Sequence, residues 1–263
     1  MALPSSGQIT LNEMHVEVGG TSGTEAALND GDIRGLISKS SGEQMAFNEW
    51  YGATSYVAPT LYSSGANYGS RSNTTSYSYG ANIGSAPSGS NRRLVVVAAG
   101  NRGGYGTGTI TVGGTSTTLL WYGKSAGGAD SPNAFLAWCE KSSGSSATIA
   151  LSCSWGTGAG MTTWAITGVP LPYKQGHETF SNSGGATVGP SGRTAYSWFF
   201  AVRMTRGRGT SSWGGGMTER YDYSVYGSDY FNSAYGQRGT GTGTFSGTSG
   251  NYSATIVAAF NGA

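Results

Sequence analysis

Short apolar runs of β type, separated by turn residues, fill most of the chain after residue 52. Each run is bounded by Gly, Ser, Asn or Pro, and one begins roughly every ten to fifteen residues. Ten or more short strands with such punctuation predict an all-β fold, a jelly-roll-like β-sandwich. The runs are residues 93–100, 108–114, 117–123, 133–139, 147–155, 162–169, 194–204, 218–227, 241–247 and 253–260.

Two of these runs lack the alternation of apolar and polar residues that marks a strand with one exposed face. They are LVVVAA at 94–99 and ATIVAAF at 254–260. Continuous apolar runs of this length are typical of strands that are covered on both faces, so both are predicted to be central strands. The chain has no period strict enough to predict repeats, and no βαβ pattern.

The first fifty residues have helical patterns instead. Thr10 followed by Glu13 forms a capping-box pattern and predicts a short helix through Val18. A second helix is predicted over 30–38 and a last helical turn over 46–51. Each is too short to be stable alone in water, so its apolar residues need burial against one another or against a partner. The residues predicted to make this contact are Ile9, Leu11, Met14, Leu28, Ile33, Leu36, Ile37, Phe47, Trp50 and Tyr51.

Composition changes at the same point and divides the chain. Glycine is 46 of 263 residues and charged residues are only 11%, whereas aromatic residues at 12% argue against disorder. Residues 1–52 carry a net charge of −5 and the remainder +7. We therefore predict an attachment segment over 1–52, a turn-rich connector with edge strands over 53–92, and a β-sandwich body over 93–263. Alternatively, 53–263 is one domain.

Two cysteines, Cys139 and Cys153, are too few for a disulfide framework. A turn near Ser143 would leave them out of register on successive strands, which predicts two buried free thiols. The N-terminus has no basic and apolar secretory signal, and no run approaches the roughly eighteen apolar residues of a membrane span.

No motif in the chain predicts catalysis, a metal site or a cofactor. His15 is predicted to be structural, and His177 beside Glu178 has no further partner in the sequence. GKSAG matches the nucleophile-elbow pattern around Ser125, but the helix that this motif needs does not follow. Glu219 and Asp222 are three residues apart on a predicted strand, which would place them on opposite faces.

Aromatic residues among Gly and Ser are the better candidates for function. Tyr and Trp give large, rigid contact area at low entropic cost, which suits glycans or protein surfaces. The candidate surface-binding residues are Tyr105, Trp213, Tyr226, Tyr230 and Tyr235. Three arginines, Arg203, Arg206 and Arg208, either steer an anionic partner or protect a strand edge from aggregation, and the second role is favoured.

Two stretches carry a resemblance to a known family. Residues 3–53 open with LPSSGQITL, continue with LNDGDIRGLI and end with FNEWYGA. This leader resembles one found at the N-terminus of tailed-phage structural proteins, particularly marine ones. In the body, RRLVVVAAG, WGGGMTERYD and ATIVAAF look like a β-sandwich module of phage tail proteins.

The resemblance implies a virion structural protein, made in the host cytoplasm. We expect a tail-fibre or tail-tip protein whose residues 1–52 dock on other virion proteins while the body contacts the host surface, with a glycan as the expected ligand. Such proteins are usually homo-oligomers, most often trimers. No enzyme activity, cofactor or nucleic acid is expected. The alternatives are a head decoration or head-fibre protein, and a surface polysaccharide depolymerase.

Overall fold

Two compact units, Met1–Ala58 and Pro59–Gly262, divide the chain in the computed structural model. The residues that the structure describes are 3–53, 60–62, 67–86, 93–123, 131–167, 175–181, 185–188, 197–207, 211–214, 216–238, 243–247 and 252–260. None of the helices within these ranges is long and apolar enough to cross a membrane.

The N-terminal unit contains two short helices and one 3-10 turn: α1 (Leu11–Glu17), α2 (Gly31–Gly35) and the turn Phe47–Trp50. The predicted capping box is present at α1. The Thr10 hydroxyl accepts from the Glu13 amide, and the Glu13 carboxylate accepts from the Thr10 amide at 2.6 Å. The second helix is shorter than predicted, because it ends at Gly35 and the next three residues continue in 3-10-type turns, in which each amide donates to the carbonyl three residues earlier.

A small core of its own stabilises this unit. The buried residues are Leu3, Ile9, Met14, Ile33 and Trp50. The Trp50 indole also donates to the Ile33 carbonyl at 3.3 Å. The two ends of the unit are held together, since the Leu3 amide donates to the Ala53 carbonyl at 2.8 Å. Burial against one another therefore accounts for much of the apolar content of the short helices.

The body is built from β-strands, and the all-β prediction is confirmed. Its strands are β1 (Thr60–Tyr62), β2 (Asn67–Ser70), β3 (Ser76–Asn82), β4 (Arg93–Gly103), β5 (Gly108–Val112), β6 (Thr115–Ser116), β7 (Thr118–Gly123), β8 (Ser131–Glu140), β9 (Ser146–Cys153), β10 (Gly158–Thr167), β11 (Gln175–Ser181), β12 (Gly185–Val188), β13 (Ser197–Thr205), β14 (Ser211–Gly214), β15 (Thr218–Tyr226), β16 (Asp229–Arg238), β17 (Gly243–Gly247) and β18 (Ser253–Phe260).

Four antiparallel sheets contain these strands. Sheet A has the order β1-β10-β4-β8-β7, and β2 also pairs with β10. Sheet B is β3-β9-β5-β6, sheet C is β11-β18-β13-β16-β15, and sheet D is β12-β17-β14. The strands of the predicted connector thus belong to the body, because β1 and β2 extend sheet A and β3 extends sheet B.

The order of the strands reveals a structural repeat that the sequence did not predict. With β1 and β2 taken as one strand, and with the two-residue β6, which forms a hairpin with β5, left out of the count, each half of the body has eight strands among the described residues. In both halves, strands 1-8-3-6-5 form one sheet and strands 2-7-4 the other. This is the order of a jelly roll, with its fifth strand moved beside the sixth. We call the two halves roll I (60–167) and roll II (175–260).

The sequence hides this repeat because few residues are identical at equivalent positions. The strands β7 and β15 are equivalent and begin at Thr118 and Thr218. What the two rolls share is the pairing order of their strands rather than residue identity. A search for repeated letters therefore finds no period, whereas the hydrogen-bonding pattern does.

The two rolls pack face to face through sheets A and C. Along β4, Leu94, Val96 and Ala98 belong to the core between sheets A and C, whereas Val95 and Val97 face the core shared with sheet B. Both predicted central strands are therefore covered on both faces. The order of layers is sheet B, A, C and D, because Trp213 of sheet D packs on the opposite face of sheet C.

Phe231 of roll II shows how closely the two rolls approach. A Cβ atom placed on Gly160 would lie 2.4 Å from the Phe231 ring, and one on Gly100 would lie 3.0 Å from it. Both glycines belong to sheet A, so the ring of Phe231 fits against their bare backbone. Beside it, the hydroxyls of Thr162 and Ser233 are 2.9 Å apart across the same buried interface.

Both cysteines are free, as predicted, although the geometry differs from the prediction. Cys139 lies on β8 of sheet A and Cys153 on β9 of sheet B, so these successive strands do not form a hairpin pair. Cys139 is buried and Cys153 is half-buried. Burial raises the pKa of both thiols, which keeps them protonated at neutral pH.

A buried arginine closes the end of roll I at which β4 begins. Arg93 is fully buried, and burial lowers the pKa of its guanidinium. The guanidinium donates to six backbone carbonyls on two loops, those of Ile83, Gly84, Ser85, Lys141, Ser143 and Gly144. Because every one of these carbonyls would otherwise need another donor, this single side chain holds both loops in place.

We expect the substitution Arg93→Met to lower the free energy of unfolding by about 3 kcal/mol, because it leaves buried carbonyls without donors. Chemical denaturation followed by tryptophan fluorescence measures this. The matched control is Arg71→Met, since Arg71 is exposed and donates to the single carbonyl of Ser224. This control variant should lower the free energy of unfolding by less than about 1 kcal/mol. Equal losses for the two variants would contradict the role given to Arg93.

Candidate functional site

Loops of both rolls meet at one end of the body. At this end β4 finishes while β8 and β10 begin, since Arg102 pairs with Pro132 and Gly158. Roll II contributes the turn between β15 and β16. We call this region the loop end; its described residues are 101–107, 121–123, 154–157, 206–207, 226–229 and 252.

The exposed aromatic residues of the body collect at the loop end. Tyr105 is 56% exposed, Trp155 is 42% exposed and Tyr226 is 53% exposed. Within the described part of the body, these are the only large apolar side chains with this degree of exposure. Aromatic residues gathered at one end of a fold, away from its cores, are typical of an interaction surface.

An ion pair between the rolls holds Tyr226 in place. Arg102 of roll I lies 2.9 Å from the carboxylate of Asp229 in roll II, measured from Nε to Oδ2. The same carboxylate accepts from the Gly207 amide at 2.6 Å. The Arg102 guanidinium also lies 4.1 Å from the centroid of the Tyr226 ring. One face of this ring is therefore supported from within the protein.

The other two rings are held by roll I. Tyr105 contacts Trp121 edge to face, with ring centroids 5.3 Å apart. The Asn101 amide donates to the Trp155 carbonyl at 2.9 Å. A Cβ atom on Gly104 would lie 3.3 Å from the Trp155 ring. The two glycines that follow Arg102 therefore allow Trp155 to lie close to the backbone of this loop.

The structure separates the five predicted surface residues into two groups. Tyr105 and Tyr226 are exposed at the loop end, and Tyr230 is half-buried close to it on β16. Trp213 and Tyr235 instead pack against cores, and the ring of Tyr235 lies 6.2 Å from that of Trp164.

Trp155 was missed by the sequence analysis because it ends an apolar run and was included in the predicted strand 147–155. The strand stops at Cys153, so Trp155 belongs to the following loop. The Ser and Gly residues that surround it are the signal that could have identified it.

The three arginines considered as gatekeepers have different positions. Arg203 lies on β13 in the middle of sheet C and is 1% exposed, so it neither protects an edge nor steers a partner. Burial lowers the pKa of its guanidinium. Arg206 lies over the ring of Tyr252, 5.3 Å from its centroid. Arg208 falls outside the described residues.

Two carboxyl groups are on one face of β15, against the prediction. A register shift between Glu219 and Tyr221 adds one residue to the strand, so Glu219 and Asp222 lie opposite Ala234 and Asn232 on the same side. The Asp222 carboxylate accepts a hydrogen bond from the Asn232 side-chain amide. Burial and the nearby charge of Glu219 raise the pKa of Asp222 to about 6.

Asp222 is therefore a carboxyl group of raised pKa beside the negative charge of Glu219, on the edge strand of sheet C.

The remaining candidates for chemistry stay structural or lie outside the description. The ring of His15 is hydrogen-bonded to the Thr24 hydroxyl at 2.9 Å. Ser125 and the side chain of His177 fall outside the residues described. Among the residues that the structure does describe, no group of three acidic, cysteine or histidine side chains could hold a metal ion.

The predicted attachment residues of the N-terminal unit have three degrees of exposure. Ile9, Met14, Ile33 and Trp50 are buried in its core, and Leu11, Leu28, Leu36 and Ile37 are half-buried against it. Phe47 and Tyr51 are 49% and 38% exposed, and Val16, another apolar residue of the short helices, is 45% exposed. Among the residues of this unit that the structure describes, 3–53, only Val16, Phe47 and Tyr51 present substantial apolar surface.

Comparison with family models, curated proteins and solved structures gives no match for this chain.

We expect Asp222→Asn to stabilise the body at pH 7.5 by about 2 kcal/mol. The raised pKa of Asp222 means that the folded protein holds a proton that the unfolded chain releases near pH 4. The stability of the folded protein relative to the unfolded chain is therefore highest below pH 4, where Asp222 is protonated in both states. This stability is lost progressively as the pH rises through 6. The amide stays neutral, so unfolding free energies of the variant should fall less between pH 4 and 7 than those of the parent.

Two further variants complete this test. Glu219→Gln removes the repelling charge and should shift the stability in the same direction. Glu25→Gln, at an exposed position of the N-terminal unit, should leave the pH profile unchanged. If Asp222→Asn and the parent lose the same stability over this pH range, the raised pKa of Asp222 is contradicted.

Proposed function

We propose that this chain is a structural protein of a tailed-phage virion, of the tail-fibre or tail-tip kind. Residues 1–52 dock on other virion proteins, and the loop end of the body contacts the host surface, where a glycan is the expected ligand. The observation that carries the proposal is the collection of the exposed aromatic residues of the body at the loop end. The leader resemblance of residues 3–53 supports the virion context.

The N-terminal unit has features suited to docking. It folds around its own core, yet Val16, Phe47 and Tyr51 remain exposed. Its net charge of −5 favours approach to a basic surface, while the apolar side chains supply contact area once the surfaces meet. A rigid small unit with a few exposed apolar residues loses little conformational entropy when it binds.

The body has features suited to presenting a surface. Its two rolls share a continuous core between sheets A and C, so the loops at the loop end project from a packed scaffold. The mechanism is non-covalent, with no catalytic group assigned. Self-association into a homo-oligomer, a trimer as in many fibres, would multiply weak contacts by avidity.

Deletion of residues 1–52 should abolish incorporation of the protein into particles and leave the body folded. Immunoblots of purified particles measure incorporation. Far-ultraviolet circular dichroism and thermal melting of the purified fragment measure folding. An unfolded fragment would contradict the independence of the two parts.

A milder variant tests the docking surface itself. Val16→Ser combined with Phe47→Ser should reduce incorporation at least tenfold, since apolar contact residues often contribute most of the affinity. Both positions are exposed, so the fold should persist. Ser6→Ala is the matched control at another exposed position. Normal incorporation of the double variant would exclude this surface.

Cryo-electron microscopy or antibody labelling of particles locates the protein directly. Density on the tail fibre or tail tip is the expected result. Density on the capsid would replace the proposal by the head-decoration alternative. Release of oligosaccharides from purified host polysaccharide would instead favour a depolymerase.

A further inference from the structure

We propose that the loop end binds a neutral saccharide chain, whose sugar rings stack on Tyr105, Trp155 and Tyr226. This inference rests on the proposed function and names the class of ligand for its contact surface. It follows from how the rings are held, from the charges beside them and from their distribution over the two rolls.

The three rings are arranged before any ligand arrives. Tyr226 is supported on one side by Arg102, Tyr105 is fixed edge to face by Trp121, and Trp155 lies against the backbone of Gly104. Each ring is nevertheless 42 to 56% exposed. Contact surfaces that are rigid in the free protein bind with a smaller entropic cost.

A supported ring with one free side suits a flat ligand. The C–H groups of a pyranose form an apolar face that can lie on an aromatic ring, while its hydroxyls remain in contact with water or with polar groups. The exposed polar side chains in the described part of the loop end include the uncharged hydroxyl groups of Thr107, Ser154 and Ser228. Sugar rings therefore match both the apolar and the polar part of this surface.

Among the described residues of the loop end, the charges favour a neutral ligand over an anionic one. Arg102 is paired with Asp229, and Arg206 lies over Tyr252. Proteins that bind single-stranded nucleic acid combine aromatic residues with a positively charged groove that follows the phosphates. Both described arginines of the loop end are engaged with groups of the protein, and an acidic residue lies among them. This surface therefore suits a ligand that stacks on the aromatic rings and makes no ionic contact with the protein.

The distribution of the rings indicates a chain rather than a single sugar. Tyr105 and Trp155 belong to roll I, whereas Tyr226 belongs to roll II. The Arg102–Asp229 pair connects the two sides of the site. A ligand that uses all three rings must cross the boundary between the rolls, which requires several linked sugar units.

Affinity electrophoresis of the full-length protein tests the proposal. Native gels contain dextran, mannan or galactan as neutral probes, and alginate or single-stranded DNA as anionic ones. We expect at least one neutral polysaccharide to retard the protein. Trp155→Ala and Tyr226→Ala should each lower the apparent affinity about tenfold. Lys141→Ala, at the opposite end of roll I, should leave it unchanged.

Thermal melting shows whether the variants remain folded, as expected for exposed positions. Three results would overturn the proposal: no retardation by any neutral probe, retardation only by alginate or DNA, or full affinity in folded variants of Trp155 and Tyr226. These outcomes are separate from the proposed virion role, since labelling of particles can place the protein on the tail whether or not it binds these saccharides.

Discussion

The packing of sheet A against sheet C is the interaction on which the rest of the body depends. It requires strands that are apolar on both faces, because each of these two sheets also covers a second core. It also requires bare backbone where the Phe231 ring meets Gly100 and Gly160. A methyl group at Gly160 would collide with this ring, so the distance between the rolls is set by the absence of side chains as much as by their presence.

This interface also determines what the loop end can do. Jelly rolls place several loops at each end, but loops alone are mobile surfaces. Here Arg102 reaches from one roll to Asp229 in the other and supports Tyr226 on the way. The ion pair is largely buried, and its removal from one side would leave a buried charge without a partner. The aromatic surface is thus stabilised by the same contact that joins the rolls.

The sequence was informative where a local pattern has one structural solution. The uninterrupted apolar runs at 94–99 and 254–260 identified central strands, and Thr10 with Glu13 identified a helix start. It was uninformative where the answer depends on distant partners. The bulge that places Glu219 and Asp222 on one face of β15 appears only in the pairing with β16. The structural repeat of the two rolls appears only in the order of their strands. Within the site, Tyr105 and Tyr226 were identified, whereas Trp213 and Tyr235 could not be distinguished from them by composition alone.

The repeat of the strand order has a consequence for which substitutions the body can accept. A change at Arg102 has to suit Asp229 in the other roll, and a change at Gly160 has to suit the Phe231 ring. Substitutions at these points therefore have to be matched across the two rolls. The exposed rings, and the loop residues that contact only their own roll, are under no such constraint, so ligand specificity can change at these positions without loss of the fold.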